Sequence, residues 1–282
     1  MSTVRRLLQG AIDIHVHFAP DPRVERRSDA LELAQYAKAQ GMRALVLKSH
    51  EYPTTPVAYT VAQVVPGLEL YGGLCLDHEV GGLNPVAVEA SARMGAKVVW
   101  FPTFSAQAWR QSEGQSGGIS ILDSGGRLTP PVHQVLEVIR QYDMVLATGH
   151  IGVEETFALV EEARRVGISR VVITHASSMA PRTGLTVEHQ KRLAQMGAYI
   201  EHCVHAMMPT TLRIPPKEIA GQIRAVGEER CILSTDFGQA FHPIAPEGLR
   251  IGIAWLLQAG MSVEEVEQLV KYNPARLLGL GG

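Results

Sequence analysis

Eight short runs of Val, Ile and Leu recur along the chain, and each is followed by a loop and an amphipathic stretch. The runs are "AIDIHVH" (11–17), "RALVLKSH" (43–50), "LYGGLCLD" (70–77), "KVVWFPT" (97–103), "MVLATGH" (144–150), "RVVITHA" (170–176), "AYIEHCV" (198–204) and "CILSTDF" (231–237). Near-continuous apolar runs of this length suit parallel strands buried on both faces. Stretches such as "SDALELAQYAKAQG" and "VEETFALVEEARRVG" between them carry helical periodicity, and Gly41, Gly95, Gly167 and Gly197 close several of these, as glycine does where a helix ends in positive φ. Strand, loop and helix eight times over predict an α/β fold, a (β/α)8 TIM barrel that forms a single domain over residues 1–282. The polar stretch 111–126 reads as an excursion after the fourth strand, with a small hairpin around Ser124-Gly125-Gly126. The third run, which holds Gly72 and Gly73, and the polar seventh are its weakest members. An open doubly wound sheet is the alternative, but it usually carries a Gly-rich phosphate turn after its first strand, and "HVHFAPDP" is not one.

Composition narrows the class. With 46% hydrophobic residues, 19% charged residues and a formal net charge of −2, the chain has neither a basic field for nucleic acid nor a polybasic segment for a membrane surface. No apolar run approaches the ~18 residues of a membrane span, and no signal-like apolar segment opens the sequence. Cys75, Cys203 and Cys231 are widely spaced and odd in number, as expected of buried free thiols in a cytoplasmic protein.

The ends of the runs hold the chemistry. The first ends in His15 and His17, the second in Lys48 and His50, the fifth in His150, the sixth in His175 and the eighth in Asp236. Residues two apart on a strand point the same way, so His15 and His17 share a side. Taken singly, each histidine reads as a hydrogen-bonded structural residue and Asp236 as a turn cap. Together, imidazoles and one carboxylate at matching strand ends predict a divalent metal site of the zinc type.

This ordered set resembles the amidohydrolase superfamily over the whole chain, through "DIHVH", "ATGH", "ITHA", "STDF" and the C-terminal "YNPARLLGL". The resemblance is to a compact, barrel-only member. It implies metal ligands at His15, His17, His150, His175 and Asp236, and a metal-activated water that cleaves an amide, lactam, lactone or ester. Asp236 would be the general acid/base, with His175 a second catalytic residue. The implied cofactor is one or two divalent ions per chain, Zn2+ first, with Mn2+ or Fe2+ as alternatives. The sequence departs from the family where many binuclear members carry a bridging lysine or glutamate. "KVVWFPTF" offers no such residue, whereas Lys48 ends the second run. Three readings of Lys48 stand: a carboxylated lysine bridging two metals, an amine that holds an anionic group or polarises a carbonyl, or a structural lysine paired with a carboxylate. A mononuclear decarboxylase or deaminase is the alternative function.

The loops would bind a small organic substrate. His50, Arg182, His202 and His205 are its expected contacts, while Arg23, Arg26 and Arg27 read equally well as a solvated face. Neither nucleic acid nor membrane is an expected partner. Barrels of this kind often associate as homo-oligomers.

Overall fold

The computed structural model describes residues 2–281, apart from the side chains of residues 180 and 181, so Met1 and Gly282 lie outside the described residues. Its strands are β1 (Ile12–Val16), β2 (Ala44–Leu47), β3 (Glu69–Tyr71), β4 (Gly73–Cys75), β5 (Val98–Trp100), β6 (Val145–Ala147), β7 (Val171–Ile173), β8 (Tyr199–Cys203) and β9 (Cys231–Ser234). Every strand pairing is parallel. β1, β2 and β3 form one sheet, and β4 to β9 form a second in sequence order.

β3 and β4 are two halves of the third apolar run, parted at Gly72. The cause is steric. A Cβ on Gly72 would lie 2.5 Å from the Thr55 backbone, and one on Gly73 would lie 2.1 Å from the Val98 carbonyl oxygen. Glycine lets the chain pass that close to neighbouring backbone. At the opposite edges, Val16 bridges Phe237 in parallel just beyond β9, and the His17 N–H donates to the Phe237 carbonyl at 2.7 Å.

A longer helix follows each run: Ala30–Ala39, Thr55–Val64, Pro85–Arg93, Pro130–Gln141, Val153–Arg165, Val187–Gln195, Pro216–Val226 and Ala245–Gln258. Their starts are encoded locally. Asp29 accepts the Glu32 N–H at 2.8 Å as an N-cap, and Pro85 and Pro130 stand in first turns where no N–H is needed. The expected excursion follows β5 as a short helix, Gln107–Ser112, and an antiparallel bridge between Leu122 and Leu128.

The apolar residues separate into two layers. Leu45, Leu47, Val99, Leu146 and Ile200 pack under the helices. Ile12, Ala44, Val46, Val98, Trp100, Val145 and Ile232 pack on the other, inner face. The C-terminal helix Asn273–Leu278 adds Ala275, Leu277 and Leu278 to that inner layer. It is anchored by Asn273, whose Nδ2 donates to the carbonyls of Glu228 and Cys231 at 2.7 and 2.6 Å. This helix covers the N-terminal ends of the strands and leaves the site to their C-terminal ends.

Candidate metal centre

The first strand turns its side chains over before it ends. Ile12 and Ile14 belong to the inner layer but Val16 to the helix-covered one. Strict alternation from Ile12 would send His15 and His17 the wrong way. The β1–β2 register shifts between Asp13 and Val16, and such an irregularity re-aims the residues beyond it. Asp13 fixes this segment, since its carboxylate accepts Thr235 Oγ1 at 2.6 Å, the Thr235 N–H at 3.1 Å and the His15 N–H at 3.2 Å.

His15, His17 and Asp236 then meet. Nε2 of each histidine lies 3.2 Å from Oδ1 of Asp236, and the three residues form a cluster whose donor atoms lie within 4.8 Å of one another. Asp236 holds a left-handed φ of 56°, His175 one of 28°. Strain of this kind at non-glycine residues is characteristic of functional sites. Opposite stand His150 and His175, with their Nε2 atoms 3.0 Å apart. Nδ1 of both is buried without a hydrogen-bond partner among the described residues.

Lys48 is 1% exposed, with Nζ 3.0 Å from His15 Nε2 and 5.4 Å from the Trp100 ring centroid. It makes no ion pair with a carboxylate among the described residues, so its expected reading as a structural lysine paired with an acid does not match the contacts. His50 stacks on His17 at 5.0 Å, and its Nδ1 lies 2.6 Å from Thr103 Oγ1. That hydroxyl donates onward to Asp77.

The electrostatics favour neutral imidazoles at His17, His50, His150 and His175, a charged one at His15, and ionised carboxylates at Asp236 and Glu201. Burial pushes His17, His50 and His150 well below the usual histidine range and His175 to about 4. Burial works against ionising Asp236, but the charge of His15 and the hydrogen bonds from His15 and His17 hold its carboxyl well below the usual range. Glu201 is likewise opposed by burial and carried down to about 2, first by the charge of His15. In His15, burial and the charge of Lys48 are outweighed by Asp236 and Glu201, and its pKa rises to about 8. A divalent ion requires neutral nitrogens and ionised oxygens of its ligands. His17, His150, His175 and Asp236 meet this as they stand, and an ion would displace the proton that His15 Nε2 holds against Asp236. The residues present therefore fit such an ion.

His17, Lys48, His50, His150, His175 and Asp236 line a cavity of about 370 Å³ shared with Arg26, Phe104, Trp109, Arg182 and His205, and His15 lies buried behind them. Its outer wall is aromatic. Trp109 lies 4.3 Å from the His150 ring, and the Arg182 guanidinium stacks on Trp109 at 3.9 Å while pairing with Glu113. Two further expected contacts, His50 and His205, reach this cavity. His202 does not, which corrects its expected role. On β8 the inner face takes Tyr199, and alternation gives that face Glu201 and turns Ile200 and His202 the other way. His202 Nδ1 lies 2.8 Å from Ser177 Oγ, which donates to Gln222 Oε1 on a surrounding helix.

Glu201 is the residue that the sequence reading missed. It is buried, and its two oxygens lie 3.2 and 3.3 Å from His15 Nδ1. The signal was available in the period of two: in "YIEHC" the residue that shares a face with the inner Tyr199 is the glutamate, not the histidine.

The fold has clear counterparts among solved structures. An amidohydrolase from Pseudomonas aeruginosa superposes with a TM-score of 0.66 at 13% identity, covering 99% of this chain and 98% of that one. The probable dipeptidase PvdM from Pseudomonas aeruginosa gives 0.69 at 12% identity, covering 98% and 96%. A 2,6-dihydroxybenzoate decarboxylase from Rhizobium gives 0.61 at 12% identity, covering 97% and 100%. No curated protein sequence matches the chain, and no helix among the described residues is long and apolar enough to cross a membrane. Residues 10–201 match the family of unknown function DUF6282. The chain therefore belongs to that family, and its fold is that of the amidohydrolase superfamily.

Proposed function

We propose that the chain is a metal-dependent hydrolase built on one closed (β/α)8 barrel, acting on an amide, lactam, lactone or ester of a small organic substrate. The observation that carries this reading is the convergence of His15, His17 and Asp236 within 4.8 Å at a cavity of about 370 Å³. His15 and His17, with Asp236, would hold one divalent ion, and His150 and His175 with Asp236 a second. The mixed nitrogen and oxygen donors suit zinc. Lys48, carboxylated at Nζ, would stand between the two as an anionic bridge. Its burial without a carboxylate partner supports this, because an uncompensated buried ammonium is costly.

A bound ion of this kind supplies Lewis acidity, acidifying water and polarising a carbonyl. The protein supplies the rest. Asp236 is ionised and its side chain 15% exposed to the cavity, so its carboxylate can take the proton of the attacking water and return it to the leaving group. His175 serves as a ligand, or as an acid–base partner if the centre holds one ion. Phe104 and Trp109 exclude water from one side of the substrate, and Arg182, His50 and His205 give it polar contacts.

A mononuclear decarboxylase or deaminase is the second reading. It is favoured by the cluster of His15, His17 and Asp236, because neither His150 nor His175 joins a group of three converging donors among the described residues.

Metal analysis of purified protein tests both. Two equivalents of zinc per chain are expected, with a carbamate carbon signal from 13C-bicarbonate at Lys48. Lys48→Ala should lose one equivalent and regain activity in part with short carboxylic acids. One equivalent with an unmodified lysine selects the second reading, and no bound metal in zinc titrations overturns both.

A further inference from the structure

Arg26 stands beside the metal centre with no part in the chemistry above. Its side chain and that of Asp21 are each 3% exposed, and the two are paired. Nε donates to Asp21 Oδ2 at 2.8 Å, and Nη2 donates to the same oxygen. Asp21 is fixed in turn, for its Oδ1 accepts the backbone N–H groups of Arg23 and Val24 at 2.8 and 2.9 Å. The Arg26 backbone bridges Gln239 in antiparallel fashion, tying the loop after β1 to the loop after β9.

The guanidinium is thus held from behind while it lines the cavity. Nη2 lies 3.4 Å from Nδ1 of His17. Nη1 donates to nothing among the described residues. A buried guanidinium locked in place with donors unused is a prepared seat for an oxyanion. A neutral apolar group lying there would strip water from Nη1 and return no hydrogen bond.

We propose that Arg26 binds a carboxylate of the substrate beside the metal centre, so that the substrate class is small organic acids with a flat apolar body. This rests on the reading of the cavity as the active site. Two independent features of the lining agree with it. Arg26 and Arg182 both line the cavity while the carboxylates that pair with them, Asp21 and Glu113, do not, and Phe104 and Trp109 present aromatic rings 5.4 Å apart.

The test is a 19F NMR titration of 4-fluorobenzoate and its neutral counterpart 4-fluorobenzamide. Each is added to metal-free and zinc-treated protein, as wild type, Arg26→Gln and Arg26→Lys. Benzoate should bind wild type in both metal states. It should bind about ten-fold more weakly to Arg26→Gln, the loss expected for one charge-assisted hydrogen bond. Benzamide should bind all three proteins alike and more weakly than benzoate binds wild type. Arg26→Lys keeps a cation for Asp21 but loses the fork, and weakened benzoate binding is expected there too, so the test stands if Arg26→Gln fails to fold. Equal benzoate affinity in wild type and a folded variant overturns the proposal. So does benzamide binding as tight as benzoate, or no benzoate binding at millimolar concentration. Metal content is measured on the same samples. Arg26-dependent binding in a protein that takes up no zinc removes the metal reading alone, and zinc uptake with Arg26-independent binding removes this one alone.

Discussion

Glu201 on β8 receives His15 of β1 across the inner face, with Oε1 3.2 Å from Nδ1. Its Oε2 also accepts the backbone N–H of His175 at 2.8 Å. An ionised carboxylate can only accept, so Nδ1 of His15 donates to Glu201 and Nε2 donates to Asp236. A divalent ion would take the place of the Nε2 proton, while Glu201 keeps the one on Nδ1. Partners of this kind fix a ligand's tautomer and raise its basicity, and their loss typically weakens metal binding about 10- to 100-fold. Glu201→Leu should weaken zinc binding by that order, and Glu201→Gln, which keeps an acceptor but not the charge, by less. Chelator competition measures both. Unchanged affinity in Glu201→Leu would show that the glutamate does not act on the centre.

Zinc should stabilise the fold if it binds the folded chain alone. At a free concentration about 100-fold above Kd the gain is about 2.7 kcal/mol. Thermal unfolding with zinc and with EDTA should differ accordingly for the wild type, and the difference should shrink or vanish for His15→Ala. Coincident transitions for the wild type would argue against a resident metal.

Gly149, immediately before His150, has a φ of 63°, and a Cβ there would lie 2.1 Å from the Phe101 carbonyl oxygen. Both the backbone conformation and the space demand glycine. Gly149→Ala should destabilise the protein by roughly 2 kcal/mol or more, read from urea unfolding, and should displace His150. A variant as stable as wild type would mean that the turn relaxes freely.

His202 offers a test of the outward assignment. Burial pushes its pKa to about 4, with the nearby charge of Glu201 acting in the other direction. The unfolded chain, titrating near the ordinary histidine value, then binds more protons than the folded one at intermediate pH. Stability is therefore lost as pH falls from about 6.5 towards 4, by up to about 3 kcal/mol from this residue. Metal-free His202→Gln should lack that part of the acid loss when urea midpoints are compared at neutral and acid pH. Its zinc stoichiometry should equal that of wild type. A lost equivalent of zinc would return His202 to the site.

Strand and helix order were legible because period and punctuation are local properties. The third run reads as one strand but forms β3 and β4, since the crowding at Gly72 comes from Thr55 and that at Gly73 from Val98, neither adjacent in sequence. The residues that meet at the centre were legible from their shared place at strand ends. Their facing was not, because the shift between Asp13 and Val16 has no signature in "DIHV". The seventh strand misled because histidine draws the eye as a ligand, whereas alternation selects Glu201. Among Arg23, Arg26 and Arg27, sequence gives no basis for choice. Pairing with Asp21 brings Arg26 inward, while Arg23 pairs with Glu51 and Glu79.

The histidines and the aspartate of the centre sit at the ends of strands, but Trp109 and Arg182 belong to two short helices, Gln107–Ser112 and Ala176–Thr183, which stack on each other at the rim. The strand-end cluster is braced by the sheet and the rim is not. Descent within this family can therefore retune what the cavity admits by exchanging two surface segments, while the strand-end cluster stays fixed. On the proposed reading, homologues that differ at Trp109 and Arg182 are the ones to expect with different ligands and the same strand-end cluster.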